Sequence, residues 1–380
     1  MKIWRFYLYF STKNYVDLVR KYDIIIILNI FFWSTKKGSN MLNVGVVGAT
    51  GYTGEKILDI LLKHPQVRIS YICAKIDKAQ KISEIFPRFA GKIDLVCDNL
   101  DVEKAIKSCD LIFLAVPHKI SMEIAPIFLK ANKVVIDLSA DYRLKNTEEY
   151  KTWYGLAHKD KKNLGIAVYG LPELYRERIK KAKLIANPGC YPTAAILALA
   201  PALTAGIVDT NSIIIDAKSG VTGAGRKASL DFFFSEINEN LKAYKINEHQ
   251  HMPEINQFLS ILASKKINAV FVPHLIPMNR GILETIYVKL NKVKSEKDIL
   301  ALYKRFYKTE KFVRVYDAGQ VPQTRNVFDA NYCDIGIKVD KNKKLLIIVA
   351  AIDNLMKGAA SQAVQNMNIV CGFKEDTGLK

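Results

Sequence analysis

Cysteine and histidine are scarce, six of each in 380 residues. The cysteines, Cys73, Cys97, Cys109, Cys190, Cys333 and Cys371, form no C-x-x-C pair and no cluster with the histidines. That scatter excludes a disulfide framework and a structural zinc site, and it points to a reducing, cytoplasmic compartment. Acidic residues are outnumbered, 37 Asp plus Glu against 56 Lys plus Arg, for a net charge of +19. Such an excess suits an anionic ligand, a nucleic acid or an acidic membrane surface. Repeats and low-complexity linkers are missing too. What is present is 49% hydrophobic and 24% charged, enough for two domains with their own cores, so general disorder is excluded.

The first forty residues differ from the rest. They carry seven Lys or Arg against Asp17 and Asp23, interleaved with aromatics and the run IIIILNIFFW at 24–33. The run is too short for a bilayer, which needs about 20 apolar residues, and its flanks lack the small-residue cleavage site of a signal peptide. Residues 1–40 therefore read as an upstream extension outside the fold, in keeping with a misassigned start upstream of Met41.

From Met41, Val- and Ile-rich runs alternate with helical patterns: NVGVVGA at 43–49, a helix over about 53–63, VRISYICA at 67–74, DLIFLAVP at 110–117, a helix near 120–131 and KVVIDLS at 133–139. Continuous apolar strands separated by helices indicate a parallel sheet covered on both faces, the Rossmann-type doubly wound α/β pattern. After residue 187 the rhythm changes to longer β-like segments. These include 211–220, 267–278, 282–290 and an expected antiparallel hairpin of 327–339 with 344–353, interrupted by a helix at 295–308. The division is thus a nucleotide-binding domain of 41–187 plus 353–380, closed by a final helix from about 357 to 370 that packs on the first, and an α+β catalytic and oligomerisation domain of 188–352.

Gly48-Ala-Thr50-Gly51-Tyr52-Thr53-Gly54 follows a strand and opens a helix, which puts backbone N–H groups and a positive helix end where a pyrophosphate could sit. An NAD site would want an acid about 20 residues on, at the end of the second strand. This strand ends instead in Ala74-Lys75, with Lys78 and Lys81 beyond. Lys75 becomes the candidate for a 2′-phosphate and the cofactor reads as NADP(H), with Asp77 keeping NAD as the other reading. His118, after Pro117, borders the same region. His64 and His158 read as surface residues.

Cys190 lies in Asn187-Pro-Gly-Cys-Tyr-Pro-Thr193, directly before a strong helical run. A helix N-terminus favours thiolate over thiol and offers N–H groups to an oxyanion. A base is needed, and Glu248-His249-Gln250-His251-Met252-Pro253-Glu254 is the densest titratable cluster in the chain. Without a third ligand at suitable spacing it reads as acid/base machinery, not a metal site.

With these segments in order, VGATGYTG (47–54), DLSADYRL (137–144), NPGCYPTAAILAL (187–199), SGVTGAGR (219–226), EHQHMPEI (248–255), VPHLIPMNRGI (272–282), YCDIG (332–336) and IDNLMKGAASQAVQNMN (352–368), the chain from 41 to 380 resembles the N-acetyl-γ-glutamyl-phosphate reductases. It departs from them at Gln250, where the family usually has Arg, and at Ala74-Lys75, where it often has Ser-Arg. The resemblance implies a glyceraldehyde-3-phosphate dehydrogenase-like two-domain fold and reduction of an acyl phosphate by NADPH through a thioester on Cys190. His251 would serve as acid/base, oriented by Glu254, with His249 the other possibility. Pro117, Gly223 and Asn354 would border the cofactor, and Arg143, Lys218, Arg226 and Arg280 would hold substrate carboxylate and phosphate. It also implies a homodimer or homotetramer. A paralogous reductase acting on a carrier-linked substrate one methylene longer would look alike. A nucleic-acid-binding protein would account for the charge, but no base-reading motif or aromatic-interleaved basic patch is present, and no membrane partner is expected for 41–380.

Overall fold

In the computed structural model, which describes residues 41–226 and 228–379, the Val- and Ile-rich runs of the first half form one six-stranded sheet. Its strands are β1 (Leu42–Val47), β2 (Val67–Cys73), β3 (Leu111–Leu114), β4 (Val134–Asp137), β5 (Val168–Tyr169) and β6 (Leu184–Ala186). Their order is β2-β1-β3-β4-β6-β5, with β1 and β3, β3 and β4, β4 and β6, and β6 and β5 paired parallel. Strands β3 and β4 are buried at every position, as parallel strands covered on both faces must be. The longer helices of this half are α1 (Tyr52–Leu61), α2 (Val102–Ser108), α3 (Ser121–Lys130), α4 (Thr147–Tyr154) and α5 (Pro172–Ile179). Strand order reverses between β1 and β3, so the crevice at their carboxyl ends is where such a sheet takes a ligand. The reading of residues 1–40 as an extension falls outside the described residues.

The second half is a seven-stranded mixed sheet: β7 (Ile214–Ser219), β8 (Lys242–Ala243), β9 (Val270–Leu275), β10 (Ile282–Lys289), β11 (Val313–Val315), β12 (Cys333–Asp340) and β13 (Leu345–Ile352), in the order β8-β9-β7-β10-β13-β12-β11. The expected hairpin is β12 with β13, antiparallel from Cys333 opposite Ile352 to Asp340 opposite Leu345. Helix α6 (Cys190–Thr204) lies on the inner face of this sheet with α7 (Met252–Ala263) and α8 (Glu296–Phe306). Every α6 residue from Tyr191 to Leu203 is buried, against Ile215, Ala217, Ile282, Ile286, Ile348 and Ala350 among others. A helix apolar all round must be covered all round, and that rigid seat fixes where its first residue stands. The alternate positions of β10, Leu283, Thr285 and Tyr287, turn to the other face and are only partly covered. Among the described residues no helix is long and apolar enough to cross a membrane.

The chain closes with α9 (Ala360–Val370), which packs against α1 and α5 as the final-helix reading expects. Its composition is unusual for a buried helix: Ser361, Gln362, Gln365, Asn366 and Asn368 are all inaccessible to solvent. Each finds partners. Gln362 donates to Thr193 Oγ1, Asn366 to Gly170 O and to Asn187 Oδ1, and Asn368 to the carbonyls of Glu375 and Thr377. His64, expected at the surface, is buried because its Nε2 reaches Asn368 Oδ1 at 3.0 Å. His158 is buried likewise, its Nε2 at 2.6 Å from the Asp141 carbonyl. A ring that satisfies both nitrogens inside the protein has no need of solvent.

Just ahead of α9, Lys357 is fully buried and donates to Glu173 Oε1 at 2.6 Å and to Gln365 Oε1 at 2.8 Å. Removing one partner of a buried pair strands the other charge, at a cost of about 3–5 kcal/mol. Lys357→Met is therefore expected to lower the urea midpoint by an amount corresponding to about 3–5 kcal/mol; an unchanged midpoint would remove the pair from the forces that dock the C-terminal segment.

Candidate active site

The glycine loop leaves β1 at Gly48, whose φ of +91° and whose approach to β3 leave no room for a side chain: a Cβ there would stand 2.2 Å from the Ala115 carbonyl oxygen. The N–H groups of Gly48 and Ala49 both donate to Cys73 O, which ties the loop to the end of β2. Helix α1 starts at Tyr52 behind Gly51, with no side chain capping it. A Cβ on Gly51 would meet only Gly48 O, at 3.6 Å. An uncapped helix start beside an uncrowded glycine, in the crevice between β1 and β3, fits a dinucleotide pyrophosphate held by backbone N–H groups. Lys75 follows β2 and is exposed, as are Asp77 and Pro117.

Cys190 is the first residue of α6, with Gly189 as its N-cap. The turn is held by Glu254 of α7, whose Oε1 accepts from Gly189 N–H at 2.9 Å and from the Tyr169 hydroxyl at 2.7 Å, while Oε2 faces Arg143 Nη1 at 3.2 Å. Arg143 is buried, and it also donates to Asn187 O and Leu138 O, both at 2.8 Å. On the far side a Cβ on Gly358 would stand 2.8 Å from Cys190 Cβ, so the segment before α9 closes directly on the cysteine. On the near side lies His251: a Cβ on Gly189 would be 2.6 Å from its Nε2.

Two expectations change here. The position of Cys190 at a helix start favours thiolate, yet burial pushes its thiol up to about 12, against the Tyr191 N–H and the Arg143 charge that pull it down. Desolvation of the charged sulfur outweighs the helix end. Glu254 does not orient His251, because its oxygens serve Gly189, Tyr169 and Arg143, whereas His251 Nδ1 is buried with no partner. Burial, with His249 and Arg143 nearby, holds the His251 imidazole well below the ordinary histidine value. The resting pair is thus a thiol beside a neutral imidazole.

The four expected anion-binding cations are all found in ion pairs. Arg143 is the buried partner of Glu254. Strand alternation sends Lys218 to the face of β7 turned away from α6, where it pairs with Asp216 at 2.6 Å. Arg226 reaches the cofactor crevice instead of Cys190. Its guanidinium lies 4.6 Å over the Tyr52 ring and 4.9 Å over Phe86, and it meets Glu55 at 2.5 Å. Arg280 is held by Asp353 at 2.6 Å and Asp329 at 3.3 Å. Asn354 clamps the glycine-rich 219–226 segment: its Oδ1 accepts from Gly281 N–H and its Nδ2 donates to Thr222 Oγ1, next to Gly223.

Several groups escaped the sequence reading. Tyr169 donates to Glu254, and the pair Tyr191 and Tyr244, with hydroxyls 3.2 Å apart, lines the histidine cluster. Asp141, within DLSADYRL, accepts from the N–H groups of Lys119 and Met122 and from the Tyr150 hydroxyl, which fixes the start of α3. Glu284 of β10 is inaccessible, with both oxygens unpartnered, and burial alone pushes its carboxyl well above the ordinary carboxylate range. Among the described residues no group of acids, cysteines and histidines could hold a metal ion.

Comparison with known proteins agrees with this architecture. Residues 43–182 match the family model described as semialdehyde dehydrogenase, NAD binding domain, and residues 190–354 match semialdehyde dehydrogenase, dimerisation domain. Proteins named N-acetyl-gamma-glutamyl-phosphate reductase from Desulfotalea psychrophila and Pelobacter propionicus are 50% and 51% identical, over 90% and 89% of this chain and 98% of each relative. The chain belongs to the N-acetyl-gamma-glutamyl-phosphate reductase family of semialdehyde dehydrogenases. Among solved structures, aspartate semialdehyde dehydrogenase II complexed with ASA from Vibrio cholerae superposes with a TM-score of 0.66 at 18% identity, over 87% of this chain and 98% of that one. The Candida albicans aspartate semialdehyde dehydrogenase with NADP gives 0.65 at 16%, over 87% and 98%. These two likenesses establish the fold.

Since Gly189 has φ −67° and ψ 158°, alanine is conformationally acceptable there and the nearest obstruction is the His251 ring. Gly189→Ala is expected to cut reductase kcat by about 100-fold, the scale of a 1 Å misplacement in a reacting pair, while the thermal midpoint stays close to wild type. Unchanged kcat would dissociate the imidazole from the chemistry.

Proposed function

We infer that this chain is the NADPH-dependent reductase that converts N-acetyl-γ-glutamyl phosphate to N-acetylglutamate 5-semialdehyde and phosphate, the third step of arginine biosynthesis. The observation that carries the reading is the His251 ring set against the Gly189–Cys190 turn at the start of α6. The Cys190 sulfur attacks the γ-acyl carbonyl as its proton passes to His251 Nε2, and phosphate departs to leave a thioester. The carbonyl oxygen is stabilised by backbone N–H groups at the uncapped start of α6. NADPH, when bound, supplies the hydride that reduces this thioester. The His251 imidazolium gives its proton to the oxygen of the resulting thiohemiacetal, then withdraws it as the carbon–sulfur bond breaks and returns it to the departing sulfur. The thiolate thus exists only in transit, in a site that disfavours it at rest.

Gly48, Thr50, Gly51, Tyr52, Thr53 and Gly54 would hold the cofactor pyrophosphate, Lys75 the 2′-phosphate, and Pro117, Gly223 and Asn354 the edge of the nicotinamide pocket. Arg143 serves through Glu254 as a positioning group, and Arg226 belongs with the cofactor loop it covers. Functionally the chain divides into 41–187 with 353–380, and 188–352. The partly covered outer face of the second sheet, where Ile214 of β7 and Val270 of β9 stay about two-fifths exposed (42% and 41%), supports self-association into a dimer or tetramer. Six free cysteines, five of them buried, suit a cytoplasmic enzyme.

Cys190→Ser is expected to abolish phosphate-dependent NADPH formation from N-acetylglutamate semialdehyde and NADP while NADPH binding, followed by fluorescence titration, persists; retained turnover would refute the thioester route. The pH dependence follows from the sign of the His251 shift. His251 acts on Cys190 as a neutral base, so lowering its affinity for protons keeps it competent into more acid solution. The acid limb of kcat/KM is accordingly expected below pH 6.5, the ordinary histidine value, and a limb at or above 6.5 would contradict the buried, neutral ring.

A further inference from the structure

His249 shares a cluster with His251, their ring centroids 4.8 Å apart, and sequence alone does not say which of them moves the proton. The hydrogen bonds do. His249 Nδ1 accepts from the backbone N–H of His251 at 3.0 Å, so Nδ1 carries no proton and Nε2 carries it. That Nε2–H faces the Tyr244 hydroxyl at 3.4 Å, Tyr244 meets the Tyr191 hydroxyl at 3.2 Å, and Tyr191 reaches Ser219, whose own hydroxyl donates to Gly220 O. The His249 Nε2–H therefore points away from His251, toward the Tyr244 phenol.

The same device occurs twice more in the molecule. His64 Nδ1 accepts from Gln66 N–H and passes its Nε2–H to Asn368 Oδ1; His158 Nδ1 accepts from Asp160 N–H and passes its Nε2–H to the Asp141 carbonyl, which can only accept. In all three a histidine closes on the N–H two residues ahead, as the oxygen of Asn or Asp does in an Asx turn. His251 is built differently, with Nδ1 buried and unpartnered and Nε2 against Gly189.

We propose that His249 is a positioning residue: locked as the Nε2–H tautomer between the His251 N–H and the Tyr244–Tyr191 phenols, it sets the His251 ring against the Cys190 turn and exchanges no proton with substrate. This rests on the reading of His251 as the acid/base. The groups facing His249 are Tyr191, Tyr244, Phe271, His251 and, at longer range, the Lys245 ammonium. Burial, aided by that ammonium, holds its imidazole down to about 4, which keeps the lock neutral.

Three full-length variants test it in the semialdehyde, NADP and phosphate assay, with kcat followed against pH. His249→Asn supplies an oxygen to the same N–H and is expected to keep most of the wild-type kcat with the acid limb in place. His249→Leu removes the acceptor and is expected to lose about 100-fold in kcat by misplacing His251, again with the limb unmoved and KM for NADP unchanged. His251→Asn is expected to lose about 10²–10⁴-fold and the limb with it. His249→Asn that is as inactive as His249→Leu with an unaltered thermal midpoint, or loss of the limb in either His249 variant, would overturn the proposal, and so would full activity of His249→Leu. Should His249→Leu fail to fold, His249→Asn decides alone. His251→Asn that keeps both rate and limb is a separate failure, that of the His251 assignment itself.

Discussion

The Glu254 carboxylate takes a backbone N–H, a phenol and a guanidinium at once, each from a different part of the chain: Gly189 before α6, Tyr169 of β5 and Arg143 after β4. Burying a carboxylate and a guanidinium together costs desolvation that attraction alone does not recover, and the arrangement stands only because the remaining lone pairs and N–H groups are also matched. Here they are, since Arg143 spends its other donors on the carbonyls of Asn187 and Leu138. The backbone of 187–190 is therefore gripped from both ends by one ion pair. The nucleophile inherits its place from that grip and not from contacts of its own side chain.

Electrostatically the site is quiet at rest. The Cys190 thiol, the His251 imidazole and the Glu284 carboxyl are all buried enough to disfavour their charged forms, and the nearby charges of Arg143 and Glu254 are paired with each other. A low-dielectric site of this kind makes any charge that develops during reaction strongly felt by the few dipoles aimed at it. The four cations expected around Cys190 do not stand there as a ready-made, unpaired anion cage. The four cations that looked suited to one are neutralised by Glu254, Asp216, Glu55, and Asp353 with Asp329.

Much of this was legible in the sequence because it depends on local rules. Parallel strands buried on both faces leave continuous Val and Ile runs, a glycine loop must leave glycines, and a cysteine ahead of an Ala/Leu helix has to sit at its N-terminus. What escaped depends on pairings over long separations. Glu254 three residues after His251 suggests a dyad, yet the chain direction at the start of α7 aims the carboxylate at Gly189. Lys218 looks suited to an anion beside SGVTGAG until strand alternation turns it outward. The helix spelled Ser-Gln-Ala-Val-Gln-Asn-Met-Asn packs on α1 as expected, but no local rule shows that its amides are buried and answered by Thr193, Gly170 and Asn187 far upstream. His64 and His158 were misplaced for the same reason.

The closing of Gly358 over Cys190, with Asn187 bonded to Ala359 and Asn366, spans 172 and 179 residues of chain. Contacts at such separation form late in folding. During synthesis at about 5–20 residues per second, the segment that roofs the cysteine leaves the ribosome on the order of 10–40 s after the cysteine itself. For that interval the nucleotide half and α6 can be made while Cys190 lies open on one side, so a nascent or prematurely terminated chain carries the nucleophile without its roof. Competence for the reaction is in this sense a property conferred by a stretch of the polypeptide made well after the cysteine.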